Sequence, residues 1–419
     1  LIPLPHEIRI AKKMKVAPGD VRITLRPGAT EIEKNAAAEL SALFRERTGK
    51  EPSGNGFEIR IGVNDPRMGA RLAARMKTLP NREQAYAVIP DGSSRIVLTG
   101  LDSRGVYYAA RTLHQLLEAT LNRDTAMIPL AEITDWPDLE ERGLWNFGQA
   151  EVWIPWMASQ KLNYAKMVNT NLQRIERGKP NHATIDRDLM LKARLQAFNY
   201  LPFILHLNFL HDYGLFTAYP ELAGKGDGAL AGRYFAHKQG SQHRAPCASN
   251  PMLATILTEW MGDIASQGAD EVSCWLTERP AQCGCPDCLA VGQFVAETRA
   301  FLAAWREVRK TRPGFMIRIF ISTTDNDRYN KVLAELPPEV KIERACHAGL
   351  DRVVREPRDL IRSPLFDSYA AEGRWISSYD APVSANGLVE TPEFKVPQSS
   401  PHRMRAFVRQ MVERRWRGV

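Results

Sequence analysis

Ala290-Val-Gly-Gln-Phe294-Val-Ala-Glu-Thr-Arg-Ala300-Phe301-Leu-Ala-Ala-Trp305-Arg-Glu-Val-Arg-Lys-Thr311, followed by Met316-Ile-Arg-Ile-Phe-Ile-Ser322, decides the fold of this sequence. In the first segment Phe294, Ala300, Phe301 and Trp305 form one apolar stripe at helical spacing, and the second is an apolar run of strand length. A helix of that length between strands predicts a parallel βαβ unit. The alternation extends both ways. Strands are predicted at Gly143–Phe147, Ala165–Asn169, Leu201–Leu207, Val272–Leu276, Met316–Ser322, Val340–Arg344 and Arg374–Ser378, with a second clear helix at Asn250–Ser266. Such units over about 280 residues suggest a (β/α)8 barrel, which typically takes about 250. An eighth strand would begin around Trp416-Arg-Gly-Val419.

Upstream the pattern is shorter in period. Arg22-Ile-Thr-Leu, Phe57-Glu-Ile-Arg-Ile, Ala85-Tyr-Ala-Val-Ile and Arg95-Ile-Val-Leu-Thr alternate like strands, the last two joined by the hairpin signal Asp91-Gly92. Helices are predicted over Glu31–Arg47, Arg67–Met76 and Ser103–Ala119, with Ser103 as the N-cap of the last. These elements read as a small α/β domain with a mixed sheet. Asp135-Trp136-Pro137-Asp138 punctuates the chain, and Pro137 stops regular structure. The expected domains are therefore 1–137, a small α/β domain, and 138–419, the barrel.

Composition is that of an ordinary globular protein: 419 residues, 44% hydrophobic and 25% charged. No window approaches 18 uninterrupted apolar residues, so no membrane span is expected. The formal charge is +8, but basic residues are scattered and do not alternate with aromatics, so a nucleic-acid groove is not expected. The charge supports only a modest attraction for anionic ligands.

Active sites of (β/α)8 barrels lie where the strands end at their C-termini. That rule selects Trp145 and Asn146, Asn169 and Asn171, His206, Asn208 and Asp212, Thr277 and Glu278, Asp325 and Asp327, Cys346, His347 and Asp351, and Tyr379 and Asp380. The set is rich in carboxylates, Asn and aromatics and offers no good nucleophilic serine, which suits sugars. Two carboxyl groups across a barrel mouth are what glycoside cleavage requires. Glu278 is the candidate general acid, because Trp275, Leu276 and Pro280 give it an apolar setting that raises a carboxyl pKa. Asp380, at the end of a strand facing it across an eight-stranded barrel, is the candidate nucleophile or base. His206, Trp145, Asn146, Asn169, Tyr379 and Thr277 are candidate substrate contacts. The structural alternatives are a Glu278–Arg279 ion pair, a turn opened by Asp380, a core His206, and aromatics that only pack.

All six cysteines lie between Cys247 and Cys346, a spacing unlike a disulfide-stapled secreted domain. Cys283-Gly-Cys285-Pro-Asp-Cys288 crowds three thiols onto one tight loop, which fits three ligands of a tetrahedral ion, with Zn²⁺ the default structural choice. Cys247 is the first candidate for the fourth ligand, with Cys346 and His347 in reserve; reduced thiols or one disulfide are the alternatives. Cys274, inside a strand, reads as a small buried apolar residue. A metal here would clamp the loop near Glu278 and take no part in chemistry.

Asp102-Ser-Arg104-Gly105-Val-Tyr107-Tyr-Ala-Ala-Arg-Thr-Leu113 resembles the last helix of the non-catalytic α/β domain that precedes the barrel in family 20 β-hexosaminidases and in α-glucuronidases. Ile133-Thr-Asp135-Trp136-Pro137, then Arg142-Gly143, resembles their entry into the first barrel strand. Cys247-Ala-Ser-Asn250-Pro251 with the Cys283–Cys288 loop is similar to a branch of bacterial glycosidase-like proteins, and that likeness supports Cys247 as the fourth partner. The resemblance implies a (β/α)8 hydrolase acting on glycosides, without a catalytic cofactor and often exported; the residues alone leave the compartment open. Family 20 enzymes carry an Asp-Glu pair after the fourth strand, the Asp orienting the substrate's acetamido group. Here the matching pair is Thr277-Glu278, so the acid carries over and the Asp does not. A protein nucleophile or an activated water then replaces acetamido assistance. The expectation is a glycosidase acting on an oligo- or polysaccharide, the charge favouring an acidic one; the rival is a carbohydrate-binding barrel without catalysis, carrying a structural metal.

Overall fold

A computed structural model describes residues 1–144, 149–231, 243–277, 281–321, 326–345, 364–379 and 401–419. The chain divides into two compact units, Leu1–Ala165 with Asp188–Tyr200, and Lys166–Arg187 with Leu201–Val419.

The first unit holds a six-stranded mixed sheet in the order Glu7–Val16, Ala126–Asp135, Tyr86–Pro90, Arg95–Gly100, Phe57–Ile61, Val21–Leu25. Tyr86–Pro90 and Arg95–Gly100 form the expected antiparallel hairpin, and Gly92 takes φ +68° in its turn. Phe57–Ile61 runs parallel to both of its neighbours. The helix Glu31–Thr48 starts on a capping box between Thr30 and Glu33 and ends at left-handed Gly49. The helix Ser103–Glu118 is capped by Asp102, whose side chain accepts from the Arg104 amide at 2.9 Å, and not by Ser103. Asp102 wins because it alone combines extended backbone with an acceptor two residues before a free helix amide. Glu7–Val16 was not expected: Lys12, Lys13 and Lys15 hide a strand pattern, and they protect an edge from pairing with other chains.

At the Asp135 punctuation, polar groups converge. Asp135 accepts from Tyr86 (2.8 Å) and the His6 amide (3.1 Å) and pairs with the buried Lys161 (3.3 Å), while Trp136 stacks on His6. Burial drags the Lys161 ammonium down to about 8 despite that carboxylate. Farther on, Gly143 bridges Tyr164 in parallel, and Tyr164–Lys166 pairs with Asn199–Leu201. Gly143 has to be glycine there, since a Cβ would sit 2.2 Å from the Tyr164 carbonyl oxygen.

The second unit is built on a parallel sheet whose strands follow in chain order: Phe203–Ile204, Glu271–Trp275, Met316–Ile321, Lys341–Ala345, Ile376–Tyr379. Gly418 then bridges Ser377 in parallel, where the eighth strand was expected. Helices Pro251–Ser266, capped by Asn250, and Gln293–Arg309 pack on each other, and each also packs on a strand. Side chains alternate across the sheet. One face presents Val272, Cys274, Ile317, Ile319, Ile321, Ile342 and Ile376, all buried. The other carries Glu271, Ser273, Trp275, Arg318, Phe320 and Glu343, also all buried.

Candidate active site and cysteine cluster

The polar face is organised by ion pairs. Arg318 donates to Glu271 at 2.6 Å and Lys341 reaches its other oxygen at 2.8 Å. Burial opposes ionisation of Glu271, but the two cations outweigh it and hold the carboxyl down to about 2. One layer nearer the strand ends, Lys166 bonds Ser273 Oγ at 2.8 Å and pairs with Glu343, two residues with 2% and 3% exposure. Its ammonium lies 5.5 Å from the rings of Trp275 and Phe320. Above that, Trp275 stacks on Phe203 at 4.6 Å and meets Phe320 and His206 at 4.7 Å.

His206 is buried in this aromatic group. Nδ1 donates to the Leu276 carbonyl at 2.5 Å, which fixes the tautomer and leaves Nε2 as an acceptor. Burial lowers its pKa to about 4, with the nearby Lys166 charge acting in the same direction, so the ring is neutral. Thr277 follows the same strand. Its amide donates to Glu297 Oε2 at 2.8 Å, and with Glu297 ionised its hydroxyl donates to Oε1 at 2.5 Å, so both polar groups are engaged inside the protein. Glu297 also accepts from Gln293 Nε2 at 2.8 Å, yet complete burial raises it to about 7. Asn169 is exposed in the turn after Tyr164–Lys166. Tyr379 ends its strand in register with Ala345. Trp145, Asn146, Glu278 and Asp380 lie outside the described residues, as do Asp325, Cys346, His347 and Asp351.

The cysteines come together. The Sγ atoms of Cys247, Cys283, Cys285 and Cys288 all lie within 4.8 Å of one another, and Cys274 is buried apart from them in its strand. Cys285 caps the helix Pro286–Val291. Ser249 Oγ lies 3.3 to 3.5 Å from Cys288, Cys285 and Cys247. Burial drives the Cys288 thiol up to about 12 and raises Cys247. In Cys285 the Ser249 hydroxyl and the Cys288 amide overcome burial and bring it to about 6.

Sequence reasoning missed Glu297, Gln293 and the Lys166–Glu343 pair. Glu297 and Gln293 are polar residues near the apolar stripe of their helix, four apart and so on one face. Glu343 alternates with Ile342 and Arg344, which places it opposite Ile342 once the sheet is known to be buried on both faces.

Residues 1–136 match the family model described as glycosyl hydrolase family 20, domain 2, about a third of the chain. The structure is similar to a family 20 exo β-N-acetylglucosaminidase from Vibrio harveyi, with TM-score 0.61 and 16% identity over 100% of this chain and 68% of that one. It is also similar to the β-N-acetylhexosaminidase from Streptomyces coelicolor, with TM-score 0.57, 15% identity, and 92% and 75% of the two chains covered. A third neighbour is the N-acetyl-β-hexosaminidase of Streptomyces plicatus, with TM-score 0.57, 14% identity, and 92% and 74% covered. The chain thus has an architecture like that of the family 20 glycoside hydrolases, its first 136 residues matching that family's second domain.

Proposed function

We propose that this protein is a glycoside hydrolase whose residues 138–419 form a (β/α)8 barrel and whose residues 1–137 form a non-catalytic domain. The observation that carries the reading is the sheet of the second unit. Its strands run parallel in chain order with no reversal, unlike a doubly wound sheet, which reverses at a switch point. Its second face is buried although it is lined by ion pairs and aromatics, as the inside of a closed barrel would be. Within the second unit the parallel order from Phe203–Ile204 to Ile376–Tyr379 is followed by Gly418 bridging Ser377, where a barrel would carry a further strand.

The proposed substrate site is the mouth above Trp275 and His206. Glu278, one residue beyond the anchored Thr277, acts as general acid, and Asp380 as nucleophile or base. Trp145, Asn146, Asn169, Tyr379 and the Nε2 acceptor of His206 contact the sugar, as does the Thr277 hydroxyl. Cleavage by carboxyl groups calls on no cofactor. The positive charge favours an acidic oligo- or polysaccharide. The engagement of Thr277 with Glu297, at the position where family 20 places its substrate-orienting Asp, favours one second reading: a barrel that binds carbohydrate without cleaving it.

A panel of aryl glycosides, including N-acetylhexosaminides and uronides, tested with wild type and Glu278→Gln separates the two. Loss of a general acid should lower kcat/KM by roughly 10²- to 10⁴-fold. Equal hydrolysis by both proteins removes Glu278 as the acid, and binding without turnover by wild type establishes the second reading. Retention at the anomeric carbon would place the two carboxyl groups about 5–5.5 Å apart, and inversion roughly 6.5–9.5 Å.

A further inference from the structure

We propose that Cys247, Cys283, Cys285 and Cys288 hold one Zn²⁺ in a closed four-thiolate site, and that the ion fastens the loop 281–288 to the end of the strand Glu271–Trp275 through Gln293 and Glu297. The binding half stands whether or not the protein is a glycosidase.

The geometry is that of one ion. Tetrahedral zinc with bonds of about 2.3 Å separates its sulfurs by ~3.8 Å. Cys247 and Cys285 stand 3.6 Å apart, and all four sulfurs fall within 4.8 Å. A disulfide needs about 2.05 Å, and these cysteines are free. Cysteines of a multi-iron cluster bind different irons and stand farther apart than the ligands of a single ion. Four sulfurs and no oxygen exclude Mg²⁺ and Ca²⁺ as residents, and a full set of protein ligands makes the site structural, with no position open to substrate.

The surroundings also fit thiolates. The Lys225 amide donates to Cys283 Sγ at 3.4 Å and the Cys288 amide to Cys285 Sγ at 3.4 Å, while Ser249 Oγ stands 3.3 to 3.5 Å from the sulfurs of Cys247, Cys285 and Cys288. Such outer donors orient ligand sulfurs and spread their charge. The loop is pinned besides: the Gly284 amide donates to the Lys225 carbonyl at 2.8 Å, and a Cβ on Gly284 would meet that oxygen at 3.1 Å.

Gln293 joins both ligand segments to the strand. Its Oε1 accepts from the Cys283 amide at 2.9 Å, and its Nε2 donates to the Pro246 carbonyl, next to Cys247, and to Glu297 Oε1, both at 2.8 Å. Glu297 in turn holds the amide and hydroxyl of Thr277. A hydrogen-bonded path therefore runs from two metal-ligand segments to the strand end.

The test uses the full chain purified without chelator. Metal analysis should give one equivalent of zinc, released when the thiols are modified. Replacement by Co²⁺ should give the visible bands of a tetrahedral tetrathiolate. Cys283→Ala should weaken retention at least 100-fold, and Cys274→Ala should leave one equivalent bound. Less than 0.1 equivalent of zinc with no tetrathiolate spectrum on adding Co²⁺, or cysteines found paired by mass, overturns the site. For the fastening, Gln293→Ala keeps all four ligands. At full zinc occupancy it should speed hydrogen exchange at the Thr277 amide at least tenfold while the Val272 amide is unchanged. Unchanged protection at Thr277 overturns that half. Neither readout depends on glycoside turnover, so failure here is distinct from failure of the glycosidase reading.

Discussion

Glu297 makes the stability of the second unit depend on pH in a direction opposite to that of most carboxylates. It is fully buried on the helix Gln293–Arg309, and burial lifts its pKa from 4.5 to about 7, although Thr277 and Gln293 donate to it. The neutral form is well accommodated: with a proton on Oε1 it can donate across the 2.5 Å gap to Thr277 Oγ1, while Oε2 still accepts the Thr277 amide. A folded pKa above the unfolded one means the native state holds the proton longer. The contribution is therefore fully present below about 4.5 and is lost as the pH rises through about 7. At 1.36 kcal/mol per unit the total is about 3 kcal/mol, of which a minor part is already lost at pH 5 and nearly all by pH 8. Urea unfolding of wild type at pH 5 and pH 8 should show a difference roughly 2–3 kcal/mol larger than that of Glu297→Gln, with zinc held constant. The variant cannot ionise, so it isolates this group from every other titration. An identical pH dependence in the two proteins would refute the reasoning.

Glu271 works in the opposite sense. Its carboxyl is held near 2 by Arg318 and Lys341, so its contribution is present above about 4.5 and disappears as the pH falls toward 2. Glu271→Gln removes the buried carboxylate that Arg318 and Lys341 share and should cost about 3–5 kcal/mol by urea unfolding at pH 7; a loss below about 1 kcal/mol would show that the pairing is not needed. In the first unit, Gly105→Ala tests close packing against helix propensity. Alanine would gain up to about 1 kcal/mol as a helix former, but its Cβ would lie 2.2 Å from the Ala85 carbonyl oxygen, a backbone atom that cannot swing away. The clash should win by roughly 1–2 kcal/mol, read as a lower melting temperature, and an unchanged or raised melting temperature would defeat the argument.

What the sequence shows and hides follows from which interactions are periodic. The helix Gln293–Arg309 and the strands at Glu271, Met316 and Lys341 are legible because each buries a continuous apolar face, and burial at a fixed period leaves a pattern. Glu7–Val16 is an exposed edge with little to bury, so its residues carry almost no period. The thiol cluster was legible because one tight loop supplies three of its members; Cys247 was the first candidate for the fourth, with Cys346 and His347 in reserve, and the family likeness supported it. Thr277 shows the limit. In the sequence it is a hydroxyl at a strand end, equally fit to touch a sugar or the protein. Its partner Glu297 lies twenty residues on, across a loop whose path no local pattern encodes. The meaning of Glu297 depends on that pairing too, for a carboxylate on an exposed helix face and one sealed under a strand end have the same letters around them. Chemistry made by chain segments that meet only in the folded state is thus invisible to periodicity. The useful sequence signal in such a place is a violation: a Glu and a Gln, four apart, on a helix whose other inward positions are apolar except for Thr298.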